Sequence, residues 1–224
     1  MELRDALTST GTCRFYKSDP VPERVLARVL DAARYAPSGG NRQPVRFVAV
    51  RDAAKRRRLA ELYLPIWSQY VAAVRQARVG VGAGGGSAAS SAAAAQARMV
   101  ENADHFAQHL HEIPVMLVVC ARIADLYATD GQLGRISIVG GASVYPAVEN
   151  VLLAAREQGL GTALTTLLCQ QEPAVKELLG IPAEFATAAM VTLGYPARGF
   201  PKQLRRRPLE EVAFADAWGA PLGS

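Results

Sequence analysis

The chain has 224 residues, half of them apolar and a fifth charged, with 25 Lys and Arg against 20 Asp and Glu. This is an ordinary globular composition, and the length predicts one compact domain over residues 1–224. No apolar run approaches the roughly 20 residues that cross a bilayer. Glu2, Arg4 and Asp5 stand where a signal peptide would carry a basic patch and then an apolar stretch. The expectation is a cytoplasmic protein with no membrane partner.

The net charge of +5 is mildly basic, and its dense clusters, Lys55 to Arg58 and Arg205 to Arg207, are far apart in the chain. Aromatic residues make up only 7%, which gives little material for base stacking. A small anionic ligand accounts for the charge as well as a nucleic acid does. Cys13, Cys120 and Cys169 are an odd number at long spacing, so neither a disulfide framework nor a zinc knuckle is indicated.

In chain order, residues 2 to 9 suit a short helix, and Arg14 follows in a turn. A helix from Pro22 is predicted by Val25, Leu26, Val29, Leu30 and Ala33 at helical spacing, ending near Pro37. Val45 to Val50 reads as a strand, and Asp52 caps a long helix towards Val79 whose Lys55 to Arg58 run is a solvated face. Residues 80 to 95, rich in Gly, Ala and Ser, offer little side chain for a core and predict a mobile excursion. A helix from Gln96 to His111 precedes a strand from Val115 to Ala121. The spacing of Ala147, Val148, Val151, Leu152 and Ala155 predicts a helix over 143–158, ended by Gly159 and Gly161. Thr162 to Leu168 is extended, a helix from Glu172 stops at Gly180, and Ala186 to Tyr195 is β-like. Helices alternating with about four short strands make the class α/β or α+β.

Several motifs are weaker than they look. Gly80-Val81-Gly82-Ala83-Gly84-Gly85 satisfies the dinucleotide fingerprint literally, but a helical pattern precedes it and a low-complexity run follows, where that fingerprint needs a strand and then a helix. His105 and His109 stand four apart on a predicted helix, yet Asp104 and Glu112 fall off their stripe, so an exposed polar face is expected instead of a metal site. No serine lies in a nucleophile elbow, and Ser143 lacks the following glycine. Only Cys13, beside Arg14, has basic surroundings, and packing is the expectation for all three cysteines.

The most informative segment is Ala36-Pro37-Ser38-Gly39-Gly40-Asn41-Arg42-Gln43-Pro44. Small residues let a planar heterocycle approach the main chain, and the amides of Asn41 and Gln43 can read its donors and acceptors. A plain helix-to-strand turn would explain the glycines and prolines without requiring the two amides.

Arg14-Phe15-Tyr16, Pro20-Val21-Pro22, the run Leu30 to Pro44, Gly159-Leu160-Gly161-Thr162 and the tail Gly194-Tyr195-Pro196 with Arg205-Arg206-Arg207-Pro208 together resemble the FMN-dependent nitroreductase family. The likeness covers nearly the whole chain outside about residues 64–110, where that family varies and where a helical, Gly-rich lid is expected. It implies an α+β, three-layer fold with a mostly antiparallel central sheet flanked by helices, in an intertwined homodimer with FMN at each shared site. It further implies that Arg14, Arg205 and Arg207 hold the FMN phosphate, as guanidinium groups suit. Pro37, Ser38, Gly39 and Asn41 would line the flavin with Gln43 close by, and Thr165 and Thr166 would lie near its N5 edge. The chain departs from the family pattern at Thr10, Val45 and Thr165-Thr166.

The activity so implied is ping-pong oxidation of NADH or NADPH with reduction of a nitroaromatic, quinone or similar acceptor. The chemistry is carried by the flavin and by no essential catalytic side chain. A biosynthetic flavoenzyme acting on a specialised metabolite shares the same pocket. A non-catalytic anion or nucleic-acid binder is the competing reading from another class, predicting colourless protein.

Overall fold

The computed structural model describes the backbone of residues 1–79 and 87–223, with side chains described throughout these except at 75–79 and 87–93. Four strands, β1 (Val45–Val50), β2 (Val115–Arg122), β3 (Gly161–Thr165) and β4 (Phe185–Gly194), form one antiparallel sheet in the order β1-β2-β4-β3. β2 is central. Its seven residues Val115 to Ala121 are all buried, as a strand covered on both faces requires.

Strand alternation divides β2 between two cores. Met116, Val118 and Cys120 pack with Leu59, Tyr63, Phe106 and Val175, from α3 (Ala53–Val79), α4 (Ser87–Gln108) and α6 (Glu172–Leu179). Val115, Leu117, Val119 and Ala121 face Leu26, Val29, Val148 and Val151, from α2 (Glu23–Ala33) and α5 (Tyr145–Glu157). The result is helix, sheet, helix: the three-layer α+β arrangement expected. A short α1 (Leu3–Ser9) is tied to α5 by Arg156 Nε, which donates to the buried Ser9 Oγ at 3.2 Å.

Local signals mark several boundaries correctly. Asp52 Oδ1 accepts from the Lys55 backbone N–H at 2.8 Å and satisfies a free amide at the start of α3. Gly180 ends α6 with φ at 67°, a left-handed cap that costs glycine little.

Three expectations need correction. The low-complexity stretch is helical from Ser87, because alanine is the strongest helix former and needs no core to stay helical locally; the Gly80 to Gly85 motif lies outside the described residues. The Lys55 to Arg58 run is not wholly solvated. Arg56 Nη1 donates to the carbonyls of His111 at 2.9 Å and Ile113 at 2.6 Å, pinning α3 to the segment that enters β2. His105 and His109 do not form an exposed polar face either. Their rings stack 4.0 Å apart, half-buried, and His105 lies 4.5 Å from the Phe15 ring.

Candidate functional site

Apart from Arg205 and Arg207, the sequence-predicted residues fall on two surfaces at opposite edges of the sheet. At the β3 edge, Thr12 bridges Thr162 in parallel and the Cys13 N–H donates to the Thr162 carbonyl at 2.7 Å. This short extension of the sheet carries Arg14 to the end of β3, where Thr165 leaves the strand and Thr166 opens a 3-10 turn. Arg14, Thr165 and Thr166 line one depression of about 460 Å³ with Tyr63, Trp67 and Phe106.

Gly161 makes the close approach possible. A Cβ there would stand 2.7 Å from Cys13 Sγ, so any larger residue must push the Arg14 segment off the strand. Burial raises the pKa of the Cys13 thiol, despite the hydrogen bonds to Phe15 and Tyr16 that oppose it. Cys13 therefore packs as a neutral thiol, not as a reactive thiolate.

Arg14 is half-buried and donates from Nη1 to the Met99 carbonyl of α4 at 3.0 Å. Desolvation lowers its pKa, partly countered by Tyr63, and a guanidinium remains charged under such a shift. The Tyr63 hydroxyl lies 3.4 Å from Thr165 Oγ1, which orients the threonine. A half-buried cation among aromatic faces and hydroxyls suits a flat, anionic, partly polar ligand.

The second surface is the loop entering β1. Pro37, Ser38 and Gly39 line a depression of about 470 Å³ whose floor includes Ser143, and the Gly39 N–H donates to Ser143 Oγ at 3.0 Å. Ser38 Oγ accepts from the Gln43 N–H at 3.0 Å, closing the loop on itself. Gln43 Nε2 donates to Asn41 Oδ1 at 3.2 Å, so the two side-chain amides form a pair on the exposed rim.

Backbone conformation singles this loop out. Gly40, Asn41 and Gln43 all have positive φ, at 58°, 53° and 50°. Asn tolerates the left-handed region, but Gln does so at a cost of about 1 kcal/mol. Such strain concentrates where ligands are gripped, and here no burial within the chain offsets it, since Asn41 and Gln43 are exposed.

Arg205 and Arg207 line neither depression. Both are exposed, and Arg207 Nη1 lies 3.6 Å from Glu211 Oε2. The tail is nonetheless anchored close by. The Leu204 N–H donates to the Thr8 carbonyl at 2.7 Å, and Leu204 packs against Gly11, three residues before Arg14.

Sequence reasoning missed the aromatic wall. Tyr63, Trp67 and Tyr70 sit at i, i+4 and i+7 on α3, a single stripe that straddles the start of the variable stretch at about residue 64. Ser143, weighed in the sequence only as a nucleophile, instead supports the loop, through a contact with Gly39 that spans 104 residues of sequence.

With this geometry in place, the comparisons with known proteins are informative. The sequence pattern of the Nitroreductase family matches residues 7–195. A Thermus thermophilus protein named NADH dehydrogenase is 33% identical over 242 residues, covering 96% of each chain. The 5,6-dimethylbenzimidazole synthase of Rhodospirillum rubrum is 31% identical, covering 84% of this chain and 79% of its own. Among solved structures, oxidized iodotyrosine deiodinase bound to FMN and 3-iodo-L-tyrosine superimposes with a TM-score of 0.64 at 24% identity, over 92% of this chain and 96% of its own. A family match over most of the chain, a relative one-third identical along its length and the shared three-layer fold converge: this chain belongs to the nitroreductase family of oxidoreductases.

Proposed function

We propose that the protein is an FMN-dependent NAD(P)H oxidoreductase whose two sites are each shared between the copies of a homodimer. The observation that carries the reading is the depression at the β3 edge, where a half-buried Arg14 meets Thr165, Thr166 and an aromatic wall. The donor set fits the cofactor: a fixed cation for its anionic parts, hydroxyls and main-chain N–H groups for its edge, and flat apolar surface for its rings.

When bound, FMN would supply two-electron hydride chemistry at N5, linking oxidation of NADH or NADPH to reduction of an acceptor. Overall the nicotinamide loses one hydride, and a quinone gains that hydride and one proton. The chain's own residues bind and orient. Arg14 offers positive charge in a partly desolvated setting, where it acts more strongly than in water. Thr165 and Thr166 stand at the strand end, where an N–H can donate to the flavin edge. Pro37, Ser38, Gly39, Asn41 and Gln43 form the facing wall.

In this reading that wall comes from the partner copy. β1 and β3 are separated by β2 and β4, three strand spacings or about 14 Å. The two depressions have no lining residue in common. A second copy, related by two-fold symmetry, brings its own residues 37–43 over Arg14 and completes two equivalent sites. The exposed apolar side chains of Tyr127, Ile136 and Ile138, near the second depression, supply surface for such an interface. Arg205 and Arg207 complete the phosphate contact in this reading, supported by the anchoring of Leu204 beside Gly11.

The test is direct. Purified protein should be yellow, contain FMN, sediment as a dimer and oxidise NADH or NADPH when given a quinone or nitroaromatic. Colourless monomer with no such activity overturns the proposal. The similarity to a 5,6-dimethylbenzimidazole synthase favours a second reading, biosynthetic oxidation or reduction of one specialised metabolite. That reading predicts yellow protein with slow turnover of every general acceptor.

A further inference from the structure

The β3-edge depression does not end at the aromatic wall. A second chamber of about 500 Å³ opens between α3 and α4, and the two share Arg14, Trp67, Tyr70 and Ala103. The two compartments adjoin along these four residues.

The outer compartment has a definite chemical character. Its walls include Val71, Val74, Met99 and Val100, with the Trp67 and Tyr70 rings 5.9 Å apart at the junction. Trp67 is held in place, because its Nε1 donates to Asp104 Oδ1 at 3.0 Å while Asp104 Oδ2 accepts from Gln108 at 2.7 Å. Among the described residues lining the cleft, Glu101 is the one acid, and it belongs only to the outer compartment. The cleft thus carries Arg14 where its compartments meet, flat aromatic and aliphatic walls, and one carboxylate in the outer compartment.

From this arrangement we infer that the enzyme takes elongated acceptors: an electron-poor ring stacks on the flavin held in the inner compartment, while an aromatic body extends past Trp67 and Tyr70 and ends in a cationic group beside Glu101. The inference rests on the oxidoreductase reading above and deepens it by naming the acceptor class. Glu101 and Tyr70 are specificity residues, and neither takes part in the chemistry.

The test uses a matched pair of probes: a nitronaphthalene bearing a trimethylammonium group on the ring remote from the nitro group, and its neutral tert-butyl isostere. Binding to the flavin-loaded protein is read by quenching of Trp67 fluorescence in a Trp218→Phe background, which leaves Trp67 as the sole tryptophan. The cationic probe should bind about 3- to 5-fold tighter than the isostere, the size of a partly exposed ion pair, and the preference should shrink with salt. Glu101→Gln should equalise the two probes. Tyr70→Ala should weaken both by roughly 2- to 10-fold, as loss of an aromatic contact does.

Equal binding of the two probes by the wild-type protein, or a preference that survives Glu101→Gln, overturns the inference. Rapid turnover of small quinones without quenching by either probe also overturns it, while leaving the oxidoreductase function standing. Protein that binds no flavin sinks the function and the inference with it, a result distinct from flavin-loaded protein that binds the two probes alike.

Discussion

Replacing Gly161 by alanine tests the connection between strand geometry and the placement of Arg14. The new Cβ would lie 2.7 Å from Cys13 Sγ and 2.8 Å from Cys13 Cβ, distances that force movement. β3 is held by its ladder with β4, from Gly161 opposite Gly194 to Thr165 opposite Met190, whereas Cys13 is held to it by one N–H bond to Thr162. The segment that yields is therefore the one carrying Arg14. Overpacking of this kind costs about 1–3 kcal/mol. For a domain of this size the melting temperature should fall by roughly 3–10 °C. Displacing Arg14 also removes a charge-assisted contact worth about 1.5–3 kcal/mol, so FMN should bind about 10- to 100-fold more weakly. Thermal melts and fluorescence titration of released FMN measure the two effects. Cys13→Gly in the same chain removes both clashing atoms and should recover most of the flavin affinity, although the added glycine keeps some instability. A Gly161→Ala protein with unchanged melting and unchanged affinity refutes the reasoning.

Other predictions are independent of that clash. Arg14→Met should weaken FMN binding by about 10- to 100-fold with little change in melting, as judged by flavin retention on dialysis. Gln43→Gly relieves a left-handed residue and should raise stability by about 1 kcal/mol while lowering flavin affinity; a drop in melting temperature would show that the φ of 50° is not strained. Asp130 is held at a pKa of about 2, first by the Ser137 hydroxyl at 2.6 Å and also by Arg135 at 2.7 Å. Its folded-state pKa lies below the ordinary 3.8, so its stabilising effect is fully present above about pH 4 and is lost as pH falls through about 2. Asp130→Asn should therefore melt lower than wild type at neutral pH, and the two melting curves should converge towards pH 2. A constant gap across that range would count against the Asp130 contacts as the cause.

What the sequence made legible follows from how local each signal is. β2 declares itself as an unbroken apolar run, because a strand covered on both faces cannot alternate. The Asp52 cap and the Gly180 stop depend on residues within one helical turn, and both stand where the sequence puts them. Arg56 could not be recognised as partly buried from its basic neighbours, because what buries it is a pair of carbonyls more than 50 residues away. Likewise the left-handed backbone at Gln43 contradicts the residue's own preference and arises from the closure of the loop through Ser38. The start of α4 is a different failure: judging Ala and Ser by their capacity to build a core ignored alanine's intrinsic helicity.

The placement of the candidate site at two opposite sheet edges leads to the most demanding test. If each site takes Arg14 from one copy and Ser38 with Asn41 from the other, damage to either half is confined to one side of each interface. Arg14→Met homodimers have two sites that lack the cation, and Ser38→Ala/Asn41→Ala homodimers have two sites that lack the facing wall. When the two variants, each too weak in flavin binding to be active at limiting FMN, are unfolded together in equal amounts and refolded, random pairing makes half of the dimers mixed. In a mixed dimer one site collects both lesions and the other collects none. About a quarter of wild-type activity should therefore return. The recovered activity should carry the wild-type KM for acceptor, because the intact site is chemically unaltered. If both half-sites instead belonged to one copy, every site in the mixture would keep one lesion and no activity would return. Mixing the two proteins without unfolding should give no recovery at first, with activity rising only as fast as subunits exchange. Recovery near a quarter with an unchanged KM is an outcome that only sites divided between copies can give.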